Sequence, residues 1–378
     1  MYLHELEGWP RFTWDQEKIA QRLAGVRHEQ GRLIGRMETL GFQFRQEAIL
    51  ETLTADVIKS SAIEGERLDL GQVRSTIARR LGMDIGGLRA ADRHVEGVVD
   101  MMLDATRNYD QPLTAERLFG WHSALFPTGR SGMRAIQVGA WRDDRKGPMQ
   151  VVSGPEGRER VHFEAPHAPR LPEEMNSFID WYNKDAGMDL VLKAGLAHLW
   201  FVTLHPFDDG NGRIARAIGD MTLARSEKSS QRFYSLSAQI LQERAAYYDV
   251  LEMTQKGSVD VTPWMDWFLV CLDRAIQGSQ NTLAAVLYKA RFWKSMETVS
   301  LNERQRSVLL RLLEGFPGKL TTSKWAKLTK SSQDTALRDI LDLVEKGVLI
   351  KSSEGGRSTS YTLVLNQEPN HPRRKQKP

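Results

Sequence analysis

The sequence predicts a mainly α-helical protein, interrupted by one β-hairpin and followed by a smaller domain of helices and hairpin. Three observations lead there. Apolar residues recur at helical spacing through most of 15–106 and 172–277. That periodicity stops from 130 to 172, where glycines and prolines punctuate short β-like runs. From 301 to 363 three short helical patterns precede two further β-like runs.

The 378 residues suffice for about two or three domains. With 41% apolar and 26% charged residues, a sizeable core forms and global disorder is not expected. Cys271 is the only cysteine, which excludes intramolecular disulfides and thiolate zinc sites. The start, MYLHELEGWPRFTW, lacks the basic-then-apolar order of a signal peptide, and no 18-residue apolar run exists. The expectation is a cytoplasmic protein with no membrane partner. Net charge is +4, but residues 301–378 hold 15 Lys/Arg against 8 Asp/Glu. A basic C-terminal segment on a near-neutral body points to an acidic partner there.

In chain order, Trp9, Phe12 and Trp14 dock an extended arm onto the body. Asp15 caps a helix to about 38, with Leu23, Val26, Leu33 and Met37 at helical spacing, and Gly41 ends it. A second helix carries Ile49, Leu50, Leu53, Val57 and Ile58. It runs into SSAIEG at 60–65, where Ser61-x-x-Glu64 fits a capping box. Helices follow at 69–82 and 90–106, separated by a GMDIGG loop at 82–87. Thr114 starts another, stopped by Pro127 and Gly129; His94 and His122 are read as structural. MQVVSG (149–154) and ERVHFEAP (159–166) form a hairpin around Pro155-Glu156-Gly157-Arg158.

Pro172 opens a helix with two acids in its first turn, and Gly187 breaks it. MDLVLKAGLAHLWFVTL (188–204) is apolar nearly all round, the mark of a helix buried on most faces. His198 and His205 lie seven apart, but no third ligand supports a zinc site. Pro263 starts a helix to about 277, and a further helix at 278–300 links the domains. RQRSVLLRLL, 321–328 and a third helix to about 346, capped at Ser331-Ser332-Gln333, precede VLIKS, the polar turn SEGGRST and YTLVL. Residues 367–378 read as a disordered basic tail.

The chemistry concentrates in 205–216, HPFDDGNGRIAR. Gly210 and Gly212 let the backbone turn tightly and approach a ligand, and free N–H groups entering a helix N-terminus bind phosphate oxygens. Arg213 and Arg216, at i and i+3, share a helix face and reach a polyphosphate. Asp209 is placed to hold Mg²⁺ against phosphates, and His205 to take a proton from an attacking hydroxyl. An ordinary Asp-Gly-Asn-Gly turn with a core histidine is the bland alternative.

This stretch resembles the Fic family signature, H-x-F-x-[D/E]-G-N-G-R-x-x-R, at every fixed position. The resemblance implies a helical Fic core that transfers AMP from ATP to a Ser, Thr or Tyr hydroxyl of a target protein or of itself. It implies His205 as base, Phe207 as loop anchor, Asp209 as Mg²⁺ ligand, and Gly210, Asn211, Gly212, Arg213 and Arg216 on the phosphates. SSAIEG resembles the family's inhibitory motif [S/T]-x-x-x-E-[G/N] through Ser60, Glu64 and Gly65, with Glu64 occupying Arg216. GAWR (139–142) and the hairpin resemble the flap that aligns a target, with Val151 and Val152 facing it. Tyr248 lines an adenosine pocket on the same reading. WPRFTWD resembles the start of a helical module found before Fic cores, and 301–363 resembles a winged helix. Its third helix offers Arg338 alone against Asp334, Asp339, Asp342 and Glu345, so target docking or homodimer packing fits as well as DNA.

The expected domains are a helical module with the inhibitory motif (1–110), a Fic core (111–280), a linker helix with a winged-helix-like domain (281–366) and a tail (367–378). Three functions compete. They are an autoinhibited adenylyltransferase, an AMP-removing or bifunctional hydrolase on the same site, and a DNA-binding regulator that senses nucleotide, with DNA held through 301–366.

Overall fold

The computed structural model describes residues 1–83, 90–145, 147–155, 158–184, 187–296, 298–313, 318–352 and 359–364. The expected loop beyond Met83, the hairpin tip Glu156-Gly157, most of the SEGGRST turn and the C-terminal tail lie outside these residues. Two compact units form, Met1–Val286 and Leu287–Pro378. The described chain is mainly helical, with short antiparallel hairpins as its only sheets.

The first unit begins with α1 (Gln16–Glu38), capped by Asp15, which accepts from Lys18 N–H at 3.0 Å. Then come α2 (Phe42–Ile63), α3 (Leu70–Arg80), α4 (Arg93–Arg107) and α5 (Ala115–Leu125). Asp69, Asp92 and Thr114 cap the last three through their side chains. A two-residue pairing, β1 (Arg130–Ser131) with β2 (Arg134–Ala135), leads to the hairpin of β3 (Gln150–Ser153) and β4 (Arg160–Glu164). Its register shifts between Val151 and Val152, the irregularity of a β-bulge. The helices α6 (Leu171–Asn183), α7 (Leu190–Leu204), α8 (Asn211–Glu227), α9 (Leu236–Gln242) and α10 (Arg244–Gln255) follow.

α7 is buried along almost its whole length, as its nearly all-round apolar sequence requires, and α8 is its main partner. Aromatic rings from Trp9, Phe12, Phe178 and Trp181 surround Trp200 on α7, so the N-terminal arm does dock onto the body. The unit also holds a buried ionic knot. Arg232 donates to Asp220 at 2.9 Å, with Glu227 at 3.7 Å, and all three side chains are almost fully enclosed.

One expectation fails. The separate helices at 263–277 and 278–300 are a single helix, α11 (Thr262–Ser295). The lone glycine between them, Gly278, costs a helix only about 1 kcal/mol. No proline accompanies it, and Leu283 and Phe292 beyond it are each buried.

The second unit holds α12 (Glu303–Leu313), α13 (Thr322–Thr329), α14 (Gln333–Glu345) and a hairpin of β5 (Leu349–Lys351) with β6 (Tyr361–Leu363). Leu320 bridges to Tyr361, and Trp325, Ile340 and Leu343 centre its core. Asp339, counted by sequence among the acids opposing Arg338, is buried. It accepts from Arg304 at 2.7 and 3.0 Å and from Asn302 at 2.9 Å.

Removing one partner of a buried ion pair strands the other charge. Asp220→Ala is therefore expected to lower unfolding free energy by about 3–5 kcal/mol, measured by urea titration. A loss under 1 kcal/mol would show that the knot does not hold Arg232 as described.

Candidate active site

The link between α7 and α8 turns on two left-handed residues. His205 ends α7 with φ 48°, and Gly210 precedes α8 with φ 80°. A side chain at 210 would be strained and would meet the Phe126 ring at 2.9 Å, so this glycine is required for both conformation and space. Asn211 clamps the turn between them. Its amide oxygen accepts from Phe207 N–H at 3.0 Å, and its amide nitrogen donates to the Phe207 carbonyl at 2.8 Å. The buried Phe207 ring stacks on His122 at 4.2 Å and contacts Trp141 and Phe119. What Asn211 can still offer a phosphate is its backbone N–H, not its side chain.

His205 is half-buried at a cavity wall. Its Nδ1 lies 3.2 Å from the Val202 carbonyl, which can only accept, so Nδ1 carries the hydrogen and Nε2 keeps its lone pair. Burial pushes its pKa below the ordinary histidine value, so the ring is neutral at neutral pH. Arg142, the arginine of GAWR, fixes the preceding turn. It donates to the carbonyls of His205 at 2.8 Å and Pro166 at 2.6 Å, and to Asp144 at 2.9 Å.

The end of α2 lies against this turn. Gly65, at φ 82°, closes the helix, with Gly65 N–H donating to Ala62 and Glu66 N–H to Ser61. SSAIEG is thus a helix C-terminus, and the capping-box reading of Ser61 and Glu64 is wrong. Arg216 donates to the Ser60 hydroxyl at 2.9 Å, the Ser60 carbonyl at 2.9 Å and Glu64 Oε1 at 2.8 Å. Burial works against its charge, but the carboxylate of Glu64, with Tyr247 and Tyr248, raises its pKa on balance. Glu64 Oε1 would lie 2.2 Å from a Cβ at 212, so Gly212 leaves the carboxylate room.

Arg213 has a separate partner. It donates to Glu66 at 2.7 Å and covers the Phe126 ring. Glu66 also meets His94 Nε2 at 2.6 Å, and that bond raises the His94 pKa. Sequence reasoning missed Glu66, although it stands two residues beyond Glu64, and it gave His94 no place at the site.

Two cavities flank this boundary. The larger, about 660 Å³, is lined by His205, Gly210, Gly212, Tyr247 and Tyr248 together with the β3–β4 hairpin. Val151 and Val152 both face it, Val152 being 47% exposed. The smaller, about 530 Å³, is lined by Arg213, Glu66, His94, Arg93 and Arg130. Glu64 and Asp209 border both. Tyr234 lies elsewhere in the core, bonded to Glu227 and Gln30.

Asp209 accepts from Gly210 N–H at 2.5 Å and from the Ser131 hydroxyl. Among the described residues no cluster of three His, Cys, Asp or Glu could hold a metal. A single hard carboxylate beside a phosphate loop fits Mg²⁺, which takes few protein ligands and fills its shell with water and phosphate oxygens. Among the described residues, no helix is long and apolar enough to cross a membrane.

Comparison with known proteins agrees with this geometry. Residues 112–223 match the Fic/DOC family, and residues 2–83 match a domain of unknown function, DUF4172. The chain is 27% identical over 233 residues to the protein adenylyltransferase Fic of Aedes aegypti, covering 60% of this chain and 41% of that one. It is 26% identical over 246 residues to the Nematostella vectensis protein of the same name, covering 61% and 49%. The chain thus spans less than half the length of these two relatives. A crystal structure of a Fic family protein from Desulfovibrio desulfuricans G20 superposes with TM-score 0.54 at 20% identity, covering 95% of this chain and 99% of that one.

Asn211→Ala would strand the buried Phe207 N–H and carbonyl. A stability loss of about 2–4 kcal/mol is expected, since each unpaired buried group costs about 1–3 kcal/mol. A denaturant midpoint equal to wild type would contradict the clamp.

Proposed function

We propose, from the premise that this chain is a Fic family protein, that it transfers AMP from ATP to a protein hydroxyl and is held back by Glu64. The single observation carrying this reading is the capture of Arg216 by Glu64 and Ser60 beside a neutral His205 and a helix N-terminus. The target class is argued from the names of the curated relatives, protein adenylyltransferases, and from the free hairpin edge over the larger cavity.

The backbone N–H groups of 211–213 would bind the phosphates, and Tyr248 would border the adenosine. Asp209 would hold Mg²⁺, which supplies charge neutralisation on the phosphates when bound. A target segment added along the hairpin edge at Val151 and Val152 presents its hydroxyl. His205 Nε2 accepts the hydroxyl proton as oxygen attacks the α-phosphorus, and pyrophosphate leaves. The N-terminus of α8 stabilises the developing negative charge. Arg216 would bind the terminal phosphate only after Glu64 leaves it, because a buried charge-assisted pair competes directly with a phosphate.

A second reading has support of its own. The Glu64 side chain is 32% exposed and borders both cavities, so it could orient a water and make the enzyme an AMP-removing hydrolase. DNA binding has less support. α14 exposes Leu337 and Leu341 beside Arg338, a surface suited to protein more than to phosphate.

Glu64→Gly is expected to raise labelling of cell-extract proteins from α-labelled ATP, and adding His205→Ala to lower it about 100- to 10,000-fold, the usual contribution of a general base. No extract labelling by Glu64→Gly would sink the transferase reading. Loss of AMP release from a modified protein in Glu64→Gly would favour the hydrolase.

The base must be neutral to act, so activity is lost as pH falls through its pKa. With that pKa lowered by burial, the acid limb of kcat/KM in Glu64→Gly should lie below the ordinary histidine value of about 6.5. A limb at or above that value would remove His205 from the role.

A further inference from the structure

Three polar side chains outside the phosphate loop form a relay at the mouth of the larger cavity. Ser153 Oγ, at the end of β3, is 2.5 Å from His162 Nε2 on β4. His162 Nδ1 is 2.5 Å from Glu252 Oε2 on α10. Glu252 also accepts from Lys256 at 2.6 Å, and these bonds lower its pKa to about 2, so it is ionised. An ionised carboxylate can only accept, which places the imidazole hydrogen on Nδ1 and leaves Nε2 to accept from the serine hydroxyl.

Hydroxyl, imidazole and carboxylate in this order are the arrangement that activates a serine as a nucleophile. The His162–Glu252 bond ties the hairpin to α10, but that tie does not call for the serine hydroxyl on the other ring nitrogen. Ser153 is exposed, and all three side chains line the cavity that also holds His205, Gly210 and Gly212.

We propose that Ser153 is a self-modification site, taking a nucleoside monophosphate from a nucleoside triphosphate bound in this cavity. The proposal rests on the nucleotidyl-transfer reading above. Ser153 Oγ forms a bond to the α-phosphorus, the bond from that phosphorus to the pyrophosphate oxygen breaks, and pyrophosphate leaves. The hydroxyl proton passes to His162 Nε2, and the imidazolium is stabilised by Glu252. The product carries its nucleotide beside Val151 and Val152. It therefore occupies the edge a target segment would use, and self-modification limits transfer to others.

The test uses the full chain with Glu64→Gly, α-labelled ATP and Mg²⁺, with and without cell extract, and peptide mapping by mass spectrometry. The expected result is one adenylyl group on the peptide holding Ser153. It is lost in Ser153→Ala, kept in Ser153→Thr, and reduced at least about tenfold in His162→Gln and Glu252→Gln. Thermal melts of each variant identify any that fail to fold, and retention in Ser153→Thr reports the hydroxyl itself. Extract proteins labelled while self-label is absent, lies elsewhere or survives Ser153→Ala would overturn this site and leave the transferase reading standing. No label on any protein would remove both.

Discussion

Everything at the site depends on the two hydrogen bonds between the Asn211 amide and the Phe207 backbone. They close a turn that reverses the chain between two buried helices within six residues. Such a turn leaves backbone groups without helical partners, and buried groups of that kind must be satisfied. Asn211 satisfies one donor and one acceptor at once, which only an amide side chain does with one plane. The Phe207 ring then locks the turn into an aromatic cluster with His122 and Trp141. With the turn fixed, α8 begins directly behind it, and His205 stands at its edge with one defined tautomer.

A second constraint follows from where α2 ends. A helix terminated by a left-handed glycine has unpaired carbonyls, and the Ser60 carbonyl takes a guanidinium hydrogen from Arg216. The same helix end places two carboxylates two residues apart, and these go to different arginines. Glu64 holds Arg216, and Glu66 holds Arg213. Both cations expected to serve a polyphosphate are therefore already paired. A ligand that engages either must compete with a carboxylate in a largely desolvated setting, where exchanging one charged partner for another is feasible but leaving the arginine alone is not.

Much of this was legible in the sequence because it is local. Asp15 and Thr114 cap through hydrogen bonds spanning three residues, and the nearly all-apolar 190–204 reads directly as a helix buried on most faces. The glycines at 210 and 212 sit where the backbone turns or a carboxylate approaches, and the signature spacing marked that stretch directly. What escaped depends on contacts far apart in sequence. Glu66 meets Arg213 across 147 positions, and His162 meets Glu252 across 90. Ser61 and Glu64 fit a capping box by spacing alone, because the pattern does not record whether a helix begins or ends there. The merged α11 escaped for a different reason. A single glycine is a weak stop, and with no proline beside it the helix runs on.

The hairpin joins these two levels. Its strand β4 is fixed on one side by the N-terminal arm, where Tyr2 meets Phe163 edge-on at 5.2 Å and His4 Nε2 lies 2.9 Å from the Glu164 carbonyl. On its other side His162 is tied to Glu252, and α10 also carries Tyr247 and Tyr248 to the cavity wall. A two-stranded hairpin is only marginally stable by itself, so its position over the cavity must come from such attachments. The segment matched as a domain of unknown function thus contributes twice. Its first residues steady the hairpin, and its second helix delivers Ser60 and Glu64 to Arg216. One module therefore touches both β4 of the hairpin and Arg216 of α8, and packs the two ends of the larger cavity wall through a single stretch of chain.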